Sequence, residues 1–207
     1  MELVAIDRLD VDAQRRLAVL HGQAMPTSLL TRLGRGILER FYARIPDVRH
    51  FVAFAATIDG VVQGAVVGTP EPNAAFDAVA NPLWRFGAHV LRHRPHMVVQ
   101  LLYAKLRPAH DVARPPNSVE LMYIFASPEA RGRGIGRALV ERFVEASRAR
   151  GAQHVTLSVE VDNAPAIKLY ERMGFTISAA RQREGRTLCH RMTLTLEPAA
   201  STMPATS

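Results

Sequence analysis

Apolar and polar residues alternate along this chain in two rhythms, one of period two and one near 3.6, and their succession predicts the elements. Residues 2–6 read as a short first strand, and Val11 to Gly22 carries helical spacing through Val11, Leu17 and Leu20. Met25-Pro26-Thr27-Ser28 breaks the chain, and Thr27 or Ser28 is placed to cap a second helix running to about Ile45. That helix presents Leu29, Leu30, Leu33, Ile37, Leu38, Phe41 and Tyr42, a broad apolar face. Phe51–Ile58 and Val61–Gly68 are apolar strands joined by Asp59-Gly60, a strong hairpin signal. Glu120 starts a fourth strand, Leu121-Met122-Tyr123-Ile124-Phe125-Ala126, which Ser127-Pro128-Glu129 ends. Ile135, Leu139, Phe143 and Ala146 then recur at helical spacing, with Arg137, Glu141, Arg142 and Glu145 between them. His154–Val161 alternates as a strand, Asn163 to Met173 reads as a helix, and two strands close the pattern.

Where the fourth strand hands over to its helix, three glycines stand in Arg131-Gly132-Arg133-Gly134-Ile135-Gly136. Glycine in a helix costs about 1 kcal/mol relative to alanine, so three of them ask for a compensating reason. Close approach supplies one: without Cβ atoms, several N–H groups at a helix N-terminus converge on an anionic oxygen, helped by the dipole. Alone, such a run fits a plain tight turn, a dinucleotide loop or a nucleotide P-loop. No Gly-Lys-Ser/Thr follows, which removes the P-loop. Gly132-x-Gly134-x-Gly136 has one residue between its last two glycines and comes after more than half the chain, which disfavours a dinucleotide loop.

The last helix has its own signature. Asn163 is a good N-cap, Pro165 sits in the first turn, and Gly174 is suited to end the helix. Ile167, Tyr170 and Met173 fall on one face. Together, Arg131-x-x-Gly134-x-Gly136 and Asn163-x-x-Ala166-x-x-x-Tyr170-x-x-x-Gly174-Phe175 resemble the two hallmarks of the GCN5-related N-acetyltransferase (GNAT) family, in order and separation. The resemblance covers roughly residues 115–196 closely and the earlier chain more loosely.

It implies an α/β (α+β) fold: one GNAT-like domain over residues 1–196, with a mixed central sheet of about six to seven strands flanked by helices. The sheet is expected to splay between its fourth and fifth strands. Acetyl-CoA is the implied donor, with Ile124, Phe125 and Ala126 offering backbone contacts to pantetheine. Arg131, Gly132, Arg133, Gly134, Ile135, Gly136 and Arg137 would hold the pyrophosphate. Asn163 and Ala166 would border the cofactor, Asn163 being either its ligand or only a helix cap. Tyr170 matches the tyrosine that often protonates the departing thiolate in these enzymes; otherwise it is a packed aromatic lining the cofactor tunnel. Glu120 shares sequence parity with Met122 and Ile124, so a carboxylate there is either the base for the amine or a solvated strand-edge acid. Tyr123, of opposite parity, reads as core.

Global features change the picture little. At 207 residues, 48% apolar and 22% charged, the chain suits one substantial core. It holds no apolar run long enough to span a membrane, and its start has neither a basic region nor a long apolar stretch, so no signal peptide is expected. Cys189 is alone, which excludes an internal disulfide and fits a reducing, cytoplasmic setting. The net charge is +7, and residues 76–116 hold six Lys/Arg against two acids. An anionic CoA thioester accounts for basic residues as well as nucleic acid does, and surface aromatics beyond Trp84 and Tyr103 are lacking for a nucleic-acid module.

Residues 70–116 separate the third and fourth strands by more than an ordinary loop. Two helices divided at Pro95 are expected there, as core cover, as a lid over the acceptor pocket, as a homodimer surface, or as an interfacial segment over 83–107 against anionic lipid. His89 and His93 have i,i+4 spacing, but no carboxylate joins them, so no metal is expected. Residues 197–207 read as a disordered tail. The function implied is direct, ternary-complex acetyl transfer to a small-molecule or peptide amine. A non-catalytic acyl-CoA-binding regulator and a basic nucleic-acid-binding module are its rivals.

Overall fold

The computed structural model describes residues 1–47, 50–71, 86–88, 91–92, 114–130, 132–183 and 186–197. The expectations for most of 70–116, for Arg131 and for the tail past 197 lie outside these described residues. Seven strands form one sheet in the order β1-β2-β3-β4-β5-β7-β6. They are β1 (Glu2–Ala5), β2 (Val52–Ile58), β3 (Val61–Thr69), β4 (Ser118–Ala126), β5 (His154–Glu160), β6 (Thr176–Arg183) and β7 (Arg186–Thr195). Every pairing is antiparallel except β4 with β5.

Helices cover both faces. α1 (Val11–Ala24), α2 (Leu29–Leu33) and α3 (Arg35–Arg44) lie on one face; α4 (Ile135–Ala149) and α5 (Ala164–Arg172) lie on the other. The first core joins Leu17, Leu33, Phe41 and Tyr42 to Ala65, Val67 and Phe125, and Phe86 belongs to it. The second joins Leu139, Val140 and Phe143 to Val66, Leu157, Tyr170 and Met192. A sheet buried on both faces explains why β2 and β3 read as near-continuous apolar runs rather than alternating ones.

Local chemistry sets the boundaries. Asp10 caps α1 by accepting from Ala13 N–H at 2.7 Å, and Ser28 caps α2 by accepting from Thr31 N–H at 3.2 Å. The single helix expected from Ser28 to Ile45 is two, because Gly34 stands at φ 110° and interrupts the backbone ladder. Asp59 and Gly60 both adopt positive φ, 51° and 77°, which matches the twist of the β2–β3 hairpin.

Candidate active site

The register of β4 places the candidate site. On one side, β4 pairs with β3 as far as Ala126, and Ser127 continues the attachment by donating to Gln63 through N–H (2.6 Å) and Oγ (2.7 Å). On the other side, β4 pairs with β5 only from Ser118↔His154 to Leu121↔Leu157. Beyond Leu121 the two strands part, so among the described residues one edge of Met122–Ala126 has no strand partner. The expected splay is present, and Ile124, Phe125 and Ala126 stand along it.

This free edge leads through Ser127–Ala130 into the glycine turn at the head of α4. Gly132 and Gly134 both sit at φ 77°, and a Cβ on either would meet nothing within 4 Å. Gly134 is the N-cap of α4 and makes no side-chain cap, and first-turn amides have no acceptor within their own helix. Gly132 and Gly134 through Arg137 therefore frame an open patch of backbone donors, while Arg133 N–H donates back to the Ala130 carbonyl at 3.4 Å. A Cβ on Gly136 would lie 3.6 Å from Leu169 Cδ2, so α5 packs against the turn. The Arg137 guanidinium is held one helical turn away by Glu141 at 2.8 Å, a hydrogen bond that raises its pKa. What Arg137 offers at the turn is its backbone. Arg133 is exposed beside it.

On α5, Asn163 accepts from Ala166 N–H at 3.3 Å and so acts as a helix cap. Tyr170 is 5% exposed, with Phe175 against its ring at 5.7 Å. Burial pushes its phenol up to about 12, so it stays protonated and remains a hydrogen-bond donor at any ordinary pH.

Glu120 requires a correction. Sequence parity groups it with Met122 and Ile124, but Leu121 opposes Gly68 and Tyr123 opposes Val67, leaving Met122 as an extra residue. This bulge reverses the phase of the strand. Val119 and Leu121 before it, and Ile124 and Ala126 after it, belong to the α4–α5 side. Tyr123 and Phe125 belong to the α1–α3 side. Glu120 therefore shares a face with Tyr123, whose phenol its charge helps raise to about 12, after the larger effect of burial.

Nor is Glu120 a solvated edge acid. Arg114 Nη1 donates to Oε2 at 3.2 Å and Arg191 Nη1 to Oε1 at 3.1 Å, with the carboxylate side chain 22% exposed. Arg191 Nη1 also donates to Ser158 Oγ at 3.2 Å. The glycine turn and α5 thus stand on one side of the sheet, and Glu120 with its arginines on the other, with the splay between β4 and β5 as the way through.

Two features escaped sequence reasoning. Arg191 is 71 residues from Glu120, and only the β5–β7 register, which sets it opposite Ser158, brings it there. His21 is fully buried, hydrogen-bonded through Nδ1 to Tyr42 Oη at 2.8 Å and through Nε2 to Ser28 Oγ at 3.2 Å, beneath Tyr123. Its position on the apolar side of α1 was the available signal. Among the described residues no group of three His, Cys, Asp or Glu is placed to hold a metal, and no helix is long and apolar enough to cross a membrane.

The model of the acetyltransferase (GNAT) family matches residues 25–175, and the chain belongs to that family. It is 46% identical to mycothiol acetyltransferase of Beutenbergia cavernae over 66 residues, 32% of this chain and 22% of that protein. It is 50% identical to streptothricin acetyltransferase of Streptomyces lavendulae over 52 residues, 25% of this chain and 28% of that protein. The matches thus span about a quarter of these curated relatives. Among solved structures, the Escherichia coli ribosomal-protein-S18-alanine N-acetyltransferase superposes with TM-score 0.59 at 17% identity, covering 98% of this chain and 97% of that one. A Salmonella typhimurium structure with its cofactor acetyl-CoA gives 0.62 at 17% identity, covering 99% and 98%. At these identities the structures share the fold.

Proposed function

We propose that this protein transfers an acetyl group from acetyl-CoA to a primary amine directly, within a ternary complex. The observation that carries this reading is the free edge of Met122–Ala126 running into the open glycine turn of α4. An extended pantetheine chain adds to that edge like a strand, and its pyrophosphate meets the N–H groups of Gly132 and Gly134–Arg137. Arg131 and Arg133 add charge, and Ala166, beside the Asn163 cap, borders the cofactor. That the named relatives are acetyltransferases supports acetyl as the group moved.

The chemistry follows from the two faces. The neutral amine attacks the thioester carbonyl carbon from the Glu120 side, and a backbone N–H of β4 steadies the oxyanion. Collapse breaks the C–S bond, and Tyr170 donates to the departing sulfur. Glu120, one residue short of the splay on the acceptor side, takes the proton lost by the amine, directly or through water.

Calorimetry with acetyl-CoA tests the donor site. Gly134→Glu puts a charged side chain on a residue at positive φ, and should abolish binding while leaving the circular-dichroism spectrum intact. Unchanged affinity in that variant overturns the turn as the pyrophosphate site. An amine panel followed by release of free CoA thiol tests transfer; tight donor binding without turnover on any amine makes the protein a donor-binding regulator instead.

A further inference from the structure

We infer that the acceptor carries, besides its amine, a carboxylate or phosphate that docks on Arg114 and Arg191. This rests on the transfer reading above and names the class of substrate for that same site.

The charge balance around Glu120 motivates it. Among the described residues two guanidiniums meet one carboxylate, leaving one positive charge in excess. The Arg114 and Arg191 side chains are only 18% and 12% exposed, so the excess sits where water screens it poorly. A guanidinium presents five N–H donors in a rigid fork. Here each arginine engages acceptors through Nη1 alone, and Nε and Nη2 of both have no acceptor among the described residues.

Thr156 points the same way. It lies between Glu120 on β4 and Thr193 on β7, on the face opposite Val155 and Leu157. It is fully buried, and its Oγ1 has no hydrogen-bond partner among the described residues. Side by side on the acceptor face, next to the splay, there is thus more donor capacity than the protein itself satisfies. A planar carboxylate or a phosphate supplies two or three acceptor oxygens in the geometry the forks favour. An acceptor with only ammonium groups meets the excess positive charge and is disfavoured. An oxyanion on the arginines also draws them from Glu120, freeing that carboxylate for the amine's proton.

Two matched pairs of amines provide the test: O-phosphoethanolamine against ethanolamine, and β-alanine against its amide. Each is titrated by calorimetry into the full chain saturated with CoA, and each is assayed for thiol release with acetyl-CoA. In at least one pair the anionic member should bind, and be used, at least about tenfold better. Arg191→Gln should erase that difference, and Arg191→Lys should keep part of it. Arg114→Gln, in the lead-in to β4, should act in the same direction and covers the case in which Arg191→Gln fails to fold. Equal binding within both pairs, or an arginine variant that weakens both members equally, overturns the inference. If amines are acetylated with no preference for the anion, transfer stands and this inference falls. If the anion binds through Arg191 but nothing is acetylated, anion docking stands and transfer falls.

Discussion

Lowering the pH from 7 to 5 should destabilise this fold through a single side chain, His21. The imidazole is fully buried, and burial lowers its pKa from 6.5 to about 4. Its surroundings are Tyr42, Ser28, and the rings of Tyr123 at 4.7 Å and Phe125 at 5.5 Å, with no carboxylate among them to hold an imidazolium. The unfolded chain takes up this proton near pH 6.5 while the folded chain resists it until about pH 4. The contribution of neutral His21 is therefore fully present above the unfolded value and is lost as pH falls toward the folded one. The slope approaches 1.4 kcal/mol per pH unit, and between pH 7 and pH 5 the loss amounts to about 2 kcal/mol. Urea unfolding at pH 7, 6 and 5 measures it, with His21→Gln as the comparison. The glutamine variant loses packing and hydrogen bonding at every pH, but its stability should be flatter than the native chain's by about 2 kcal/mol over that interval. Parallel curves would refute the reasoning. Because His21 lies against Tyr123 and Phe125, the loosening should start beneath β4.

Three further outcomes follow, two from the site and one from the sheet that carries it. Tyr170→Phe should lower kcat on the order of a hundredfold with little change in acetyl-CoA affinity, measured by thiol release and calorimetry. With the phenol pushed up to about 12, native activity should show no loss from its ionisation up to about pH 10. In Gly68→Val, the new Cβ meets the Glu120 carbonyl oxygen and the Phe143 ring, so the urea midpoint should fall by an equivalent of about 1–3 kcal/mol or more. A native-like midpoint would mean that β3 and β4 are not pressed together at the bulge.

What the sequence made legible was local. Asp59-Gly60, Ser28, Asn163 and Gly174 act through their immediate neighbours, and each turn or cap stands where residue chemistry puts it. The glycine turn of α4 was legible for the same reason. Gly34 was missed because Leu33 and Ile37 keep the apolar spacing across it, so periodicity continues where the helix does not. Glu120 was rightly grouped with Met122, but Ile124 and Tyr123 were set on the wrong sides of it, because parity counting assumes regular pairing and the extra Met122 appears only once β3 is laid against β4. Arg191 was out of reach altogether, since its meeting with Glu120 depends on two strand pairings, β4 with β5 and β5 with β7.

The parting of β4 from β5 also bears on the order of events. Under the proposed reaction, donor and acceptor meet from opposite sides of one sheet, and among the described residues neither would stand in the other's route to solvent. Free CoA would then leave past α4 and the acetylated product past Arg191, so neither product would wait behind the other. Under the proposed reaction, this geometry sets random-order kinetics, with each product competing against its own precursor. Changes on the α4–α5 side should then alter donor constants while leaving acceptor constants in place.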